Sequence, residues 1–200
     1  MTGSASTPSA LVDAAIRPSF DALKNAGFRR RGRTFAKVAR GASGVLNFQS
    51  SQWNVGKSAR FTINLAVYVP AFAKIQNRVL STPPEKLEGC SWHTRIGFAM
   101  GMRKDLWWEV SAGNPSENVA ADVLNSLTNH AIPWLERCMT FDGLCAFLAD
   151  GGGVGAAELL WAVGRKDQAV ASLAEMLSSS MPRYVELANA WLTKHGLRAP

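Results

Sequence analysis

No stretch of this 200-residue chain approaches the roughly 18 consecutive apolar residues that a membrane-spanning helix needs, so no membrane partner is expected. The opening MTGSASTPSA has no basic segment followed by an apolar one; no secretory leader is read there, and residues 1–8 are expected to be a short flexible tail. Cysteine is scarce. Cys90, Cys138 and Cys145 are odd in number and share no framework spacing, which points to small core residues in a reducing, cytoplasmic compartment rather than a disulfide set.

Catalytic signatures are also missing. His93, His130 and His195 fall in unrelated contexts. Cys90 and His93 have a metal-like spacing but no second pair, so no metal and no cofactor are expected. There is no nucleophile elbow, no zinc-protease helix motif and no Walker-type loop. The glycines between 151 and 155 precede a helix, but no strand leads into them and no lysine follows at the required place, so they read as a linker. His93, Asp105 and Glu109 can be drawn as an acid/base group, yet nothing in the sequence brings them together. No catalytic residue is assigned. A hydrolase or transferase is the least supported reading, and it would require His93, Glu109 and Asn64 to share a pocket.

Acidic residues are nearly absent from the first part of the chain. Residues 1–60 hold ten Lys/Arg against two Asp/Glu, a charge of +8, whereas residues 61–200 hold twelve against thirteen, a charge of −1; together they give the overall +7. The basic run is Arg29, Arg30, Arg31, Arg33, Lys37 and Arg40. It suits phosphates or an acidic protein surface, and equally a solvated edge strand whose cations discourage pairing with other chains.

What the chain does have is a clear period-2 pattern from Val45 to Val69. Phe61, Ile63, Leu65, Val67 and Val69 alternate with Thr62, Asn64, Ala66 and Tyr68; Leu46 and Phe48 alternate with Asn47, Gln49 and Ser51. Successive strand side chains point to opposite faces, so this alternation predicts a sheet with one apolar and one polar face. Three strands are expected near 34–40, 45–51 and 60–69, with a turn at Ala42–Gly44, a short strand near 93–96 and a further strand at 106–110. Helical spacing predicts helices over 9–26, interrupted at Pro18, over 71–80, and over 117–129 with Ser116 as N-cap. After 150, three short helices follow. We therefore expect an α+β fold: an antiparallel sheet of about four strands packed by helices, in a domain over 9–149, with a C-terminal helical appendage over 150–200.

The polar face is the candidate surface. Asn47, Gln49 and Asn64 share it, and amides that both donate and accept suit recognition of backbone or base edges. The alternative is that a helix covers this face and the amides satisfy buried groups. Trp53 supplies a possible aromatic anchor at the strand end, and one of Trp107 and Trp108 must face away from the core.

The ordered set Gly27-Phe28, the basic run, Thr34-Phe35, Val45-Leu46-Asn47-Phe48-Gln49, Trp53, Phe61-Thr62-Ile63-Asn64-Leu65 and Trp107-Trp108 resembles a bacterial domain-of-unknown-function family, number four-three-zero-four. The resemblance covers about residues 10–135; Ala66 stands where the family often has Gly, and the tail after about 140 lies outside it. It implies a small α+β protein of the bacterial cytoplasm, with no established activity and no catalytic residues to carry over. It also implies a likeness to the small, unannotated proteins found among bacterial conflict systems, and by that association a toxin-neutralising or other protein-binding role. The expectation is a non-enzymatic module that binds a protein partner, still unidentified, through Arg29, Arg30, Arg31, Arg33, Asn47, Gln49, Trp53, Asn64 and Trp107. The alternative partner is nucleic acid, held by the basic segment.

Overall fold

The pattern of alternation becomes an antiparallel sheet in the computed structural model, which describes residues 7–111 and 113–198. The expected tail at 1–8 lies outside the described residues up to position 6; Thr7 already caps the first helix, its hydroxyl accepting from the amide of Ala10. The chain divides into two compact units, one made of residues up to Tyr68 with Leu80–Glu136, the other of Val69–Val79 with Arg137 onward.

Among the described residues the first unit holds six strands: β1 (Arg29–Arg31), β2 (Thr34–Ala39), β3 (Ala42–Ser50), β4 (Ala59–Tyr68), β5 (Trp92–Arg95) and β6 (Trp108–Val110). They run in the order β1-β2-β3-β4-β5, and β6 pairs with the other end of β4. The structure departs from the expected pattern at several places. The β2–β3 turn sits at Arg40-Gly41 rather than at 42–44, with both residues at positive φ (51° and 78°), as a two-residue hairpin of this hand requires. A strand forms at Arg29–Arg31, where three consecutive arginines show no alternation to read. Ser116 is the first residue of its helix, and Pro115 occupies the cap position.

Pairing of Leu46 with Leu65 and of Phe48 with Ile63 sets the β3–β4 register. It places Phe35, Leu46, Phe48, Phe61, Ile63, Leu65 and Val67 on one face, all at most 2% exposed. Helices α1 (Pro8–Ile16), α2 (Ser19–Asn25) and α5 (Ser116–Ser126), numbered with α3 (Pro70–Ile75) and α4 (Ile96–Ala99) between them, bury Val12, Ile16, Leu23, Val119 and Val123 in the same core. Pro18 separates α1 from α2, since its ring and missing N–H do not fit a helix interior. Aromatic rings lock the layer: Phe20 to Phe35 at 5.4 Å, Phe35 to Phe48 edge-on at 6.0 Å, and Phe61 stacked on Trp108 at 5.6 Å. The Trp108 indole N–H donates to Asp122 on α5 at 2.6 Å. Past α5 the chain widens into a π-helical turn, Leu127–Ala131, before α6 (Ile132–Cys138); the wide turn accommodates Pro133, which cannot donate to the preceding turn.

The second unit is all helical. It contains α3, α7 (Phe141–Ala149), α8 (Gly153–Ala162), α9 (Lys166–Ala171), α10 (Ala174–Leu177) and α11 (Pro182–Lys194). Phe72 on α3 packs on Phe141 at 5.6 Å, and the small residues Ala156, Ala157, Ala169 and Ala188 let these short helices approach closely. Among the described residues no helix is long and apolar enough to cross a membrane.

The reverse face of the sheet is covered at both ends and open in the middle. At one end Ser43, Val45, Ala66 and Tyr68 are buried, and the Tyr68 hydroxyl accepts from the amide of Leu80. At the other, buried Thr62 donates to the carbonyl of Leu106 at 2.7 Å. That second cover depends on Gly97, whose Cα approaches so close to the carbonyl of Lys104 that a Cβ would lie 2.0 Å from its oxygen. Gly97→Ala should therefore displace residues 104–107 and destabilise the fold by about 1–3 kcal/mol, as overpacking does; urea unfolding with tryptophan emission as the probe measures both effects.

Candidate functional site

Between the two covers, each strand from β1 to β5 contributes one residue to a row across the open face. The row runs Arg31, Thr34, Asn47, Asn64, Arg95, in register from β1 to β5. At the spacing of neighbouring strands, five positions span about 19 Å. Polar side chains fill its centre and an arginine stands at each end. The amides are ordered by their neighbours: the Asn47 side-chain N–H donates to the Thr34 hydroxyl at 2.9 Å, and that of Asn64 donates to Gln49 Oε1 at 2.7 Å.

Trp53 and Trp107 flank this row. Trp53 is 79% exposed because the β3–β4 loop is built to hold it out. Asn54 behaves there like an extra strand residue: its side-chain oxygen accepts from the Arg60 amide at 2.7 Å and its N–H donates to the Arg60 carbonyl at 2.9 Å. Trp107 is half-buried, with the guanidinium groups of Arg60 and Arg95 at 5.8 and 5.3 Å from its ring. The two tryptophans, Arg60, Arg95 and Gln49 line one cleft of about 390 Å³. A second groove of about 590 Å³ continues past Arg95 and takes in Asn64, His93, Phe98 and Asp105. A third, of about 1060 Å³, runs beside Arg29 and Arg31 against the segment from Leu80 to Gly89.

Arg29, Arg30, Arg31 and Arg33 of the basic run do different things. Arg29 and Arg31 are exposed on the open face and have no ion-pair partner among the described residues. Arg30 points to the opposite face, its guanidinium 3.9 Å from the centre of the Phe20 ring. Arg33 is spent within the fold. Its guanidinium donates to Asp13 at 2.8 Å, to the Ser50 hydroxyl at 2.6 Å, and to both the carbonyl and the hydroxyl of Ser9 at 2.9 Å. Lys37, also from the basic run, pairs with Glu136 at 2.7 Å.

The acid/base set drawn from the sequence is not assembled. His93 and Asp105 line one groove with Asn64, but Glu109 stands on β6 opposite Arg60, where its carboxylate accepts from Ser58 at 3.2 Å. The cysteines are free and buried. Burial pushes the Cys90 thiol up to about 12 and that of Cys138 to about 11, so both stay protonated at neutral pH and neither is a nucleophile there. Among the described residues no group of three or more His, Cys, Asp or Glu is placed to hold a metal. Arg60 and Arg95 belong to this surface although neither stood out in the sequence; a strand-start arginine and an isolated one carry no local signal, and only pairing brings them to Trp107.

The family model described as Domain of unknown function (DUF4304) matches residues 20–137. No curated protein and no solved structure matches the chain.

Arg33→Ala should cost about 2 kcal/mol, the loss of charge-assisted hydrogen bonds, while Arg31→Ala should stay within about 0.5 kcal/mol of the parent, as an exposed substitution does. Urea midpoints of the two variants give the comparison; equal midpoints would contradict the division of roles.

Proposed function

The chain belongs to that family, whose description assigns no activity, and from this premise we propose that it is a non-enzymatic binding protein that holds a protein partner on the open face of its sheet, in an immunity-like or regulatory role. The observation that carries this reading is the row from Arg31 to Arg95 with Trp53 held out beside it. Tryptophan and arginine are the side chains that dominate binding energy at protein interfaces, and ordered amides add directional hydrogen bonds. The reading includes a bacterial cytoplasm as the setting, supported by three free buried thiols, the state that a reducing compartment maintains.

Charge layout supports a protein over a nucleic acid in this reading. On the open face carboxylates stand among the cations: Glu85 and Glu88 line the groove of Arg29, Arg31 and Lys86, Asp105 pairs with Arg95, and Glu109 stands opposite Arg60 in the strand register. A phosphodiester strand, negative at every step, meets repulsion as well as attraction on such a surface. A protein surface with charges of both signs does not. The excess charge of the first 60 residues is also divided, since Arg30, Arg33 and Lys37 are engaged elsewhere.

The test is affinity capture from the native host after nuclease treatment. A discrete polypeptide should be retained in stoichiometric amount by the parent chain, and Trp53→Ala, which touches no core contact, should weaken its retention by about 2 kcal/mol, the size of an interface hot spot. Retention unaffected by Trp53→Ala, or recovery of nucleic acid in place of a protein, would contradict the proposal.

A further inference from the structure

The cleft beneath the two tryptophans differs from the rest of the open face in its charge. It is lined by Gln49, Ser51, Trp53, Arg60, Arg95 and Trp107, and among the described residues no Asp or Glu lines it. Arg60 has no ion-pair partner among the described residues, and its backbone is fixed by Asn54 on both sides. Arg95 uses one guanidinium nitrogen on Asp105, and its planar fork has further donors to give. Both guanidinium groups lie near the Trp107 ring, which restricts where they can go. The cleft thus holds two pre-positioned cations, an amide, a hydroxyl and two aromatic surfaces.

Resting on the reading of this face as a protein-binding surface, the geometry points to the chemistry of the partner: an extended acidic segment that seats a carboxylate between Arg60 and Arg95, with its neighbouring side chain against Trp53. The segment continues across the strands along the row toward Arg31. At about 3.3 Å per extended residue, some six residues cover the roughly 19 Å of the row. Charge complementarity favours carboxylates over phosphates for this path. A peptide can present an acid at the cleft and neutral residues where the face carries its own carboxylates, such as Asp105. The central amides Asn47, Gln49 and Asn64 then meet the peptide backbone, which both donates and accepts.

Three labelled peptides and one oligonucleotide test this with the full-length protein, by fluorescence anisotropy at low salt. The first peptide carries Glu flanked by Tyr and neutral polar residues; the second has Gln in place of each Glu, the third Lys. The oligonucleotide is a thymidine run of matching length. The Glu peptide should bind at least about tenfold more tightly than the Gln peptide, which corresponds to about 1.4 kcal/mol. Arg60→Gln should remove most of that preference, whereas Arg30→Gln, on the opposite face, should leave it unchanged. Equal binding of the Glu and Gln peptides, with loss on Trp53→Ala, would overturn the acidic partner and leave the protein-binding reading standing. Binding of the oligonucleotide alone, lost in Arg60→Gln, would overturn both. Absence of all binding at millimolar peptide would overturn the acidic-segment proposal.

Discussion

Everything on the open face of the sheet depends on the register of β3 against β4. Leu46 opposite Leu65 and Phe48 opposite Ile63 put the large apolar side chains under α1, α2 and α5. The same pairing puts Asn47 opposite Asn64 on the reverse side. A slip by one residue would send the amides into the helical core and the phenylalanines into solvent. Burying unpaired amides is costly and exposing Phe48 and Ile63 forfeits the core, so hydrophobic burial itself positions the polar row. The surface is a by-product of the core's alternation, and it needs no separate device to hold its spacing.

The tertiary covers then decide how much of that face is available. Segments from Leu80 to Ser91 and from Lys104 to Trp107 close the two ends, and each uses a polar strand residue as its anchor, Tyr68 at one end and Thr62 at the other. What is left open is bounded by arginines. The arrangement also distributes charge: cations reach the open face from three strands, β1, β4 and β5, with carboxylates nearby, while no carboxylate lines the Trp53–Trp107 cleft itself. In the proposed role of binding a protein, such a layout discriminates by pattern rather than by net charge.

Much of this is legible in the sequence because it is local. Alternation marks β3 and β4, Pro18 and Pro70 mark where elements stop, and Gly27 sits just past α2 with φ at 86°. The unread parts are non-local or lack periodicity. Arg29–Arg31 becomes a strand only because β2 offers it an edge, and its arginines keep that edge from pairing further. Arg31 and Arg33 look alike in the sequence, yet a two-residue turn separates their directions, sending one to the open face and the other into a hydrogen-bond network with Asp13, Ser50 and Ser9. Whether the amide face is open or covered depends on residues more than 15 positions away, and no local pattern reports that. For Arg60 and Arg95 the signal exists only after strand pairing brings them to Trp107.

A benzophenone side chain in place of Gln49, expressed in the native host and irradiated there, tests the central claim most directly. Gln49 lies at the middle of the open face, while Ala121 on α5 is exposed on the opposite side of the unit. The account predicts a discrete protein adduct from position 49 and none from position 121. No adduct at position 49, or the same adducts from both positions, would contradict it.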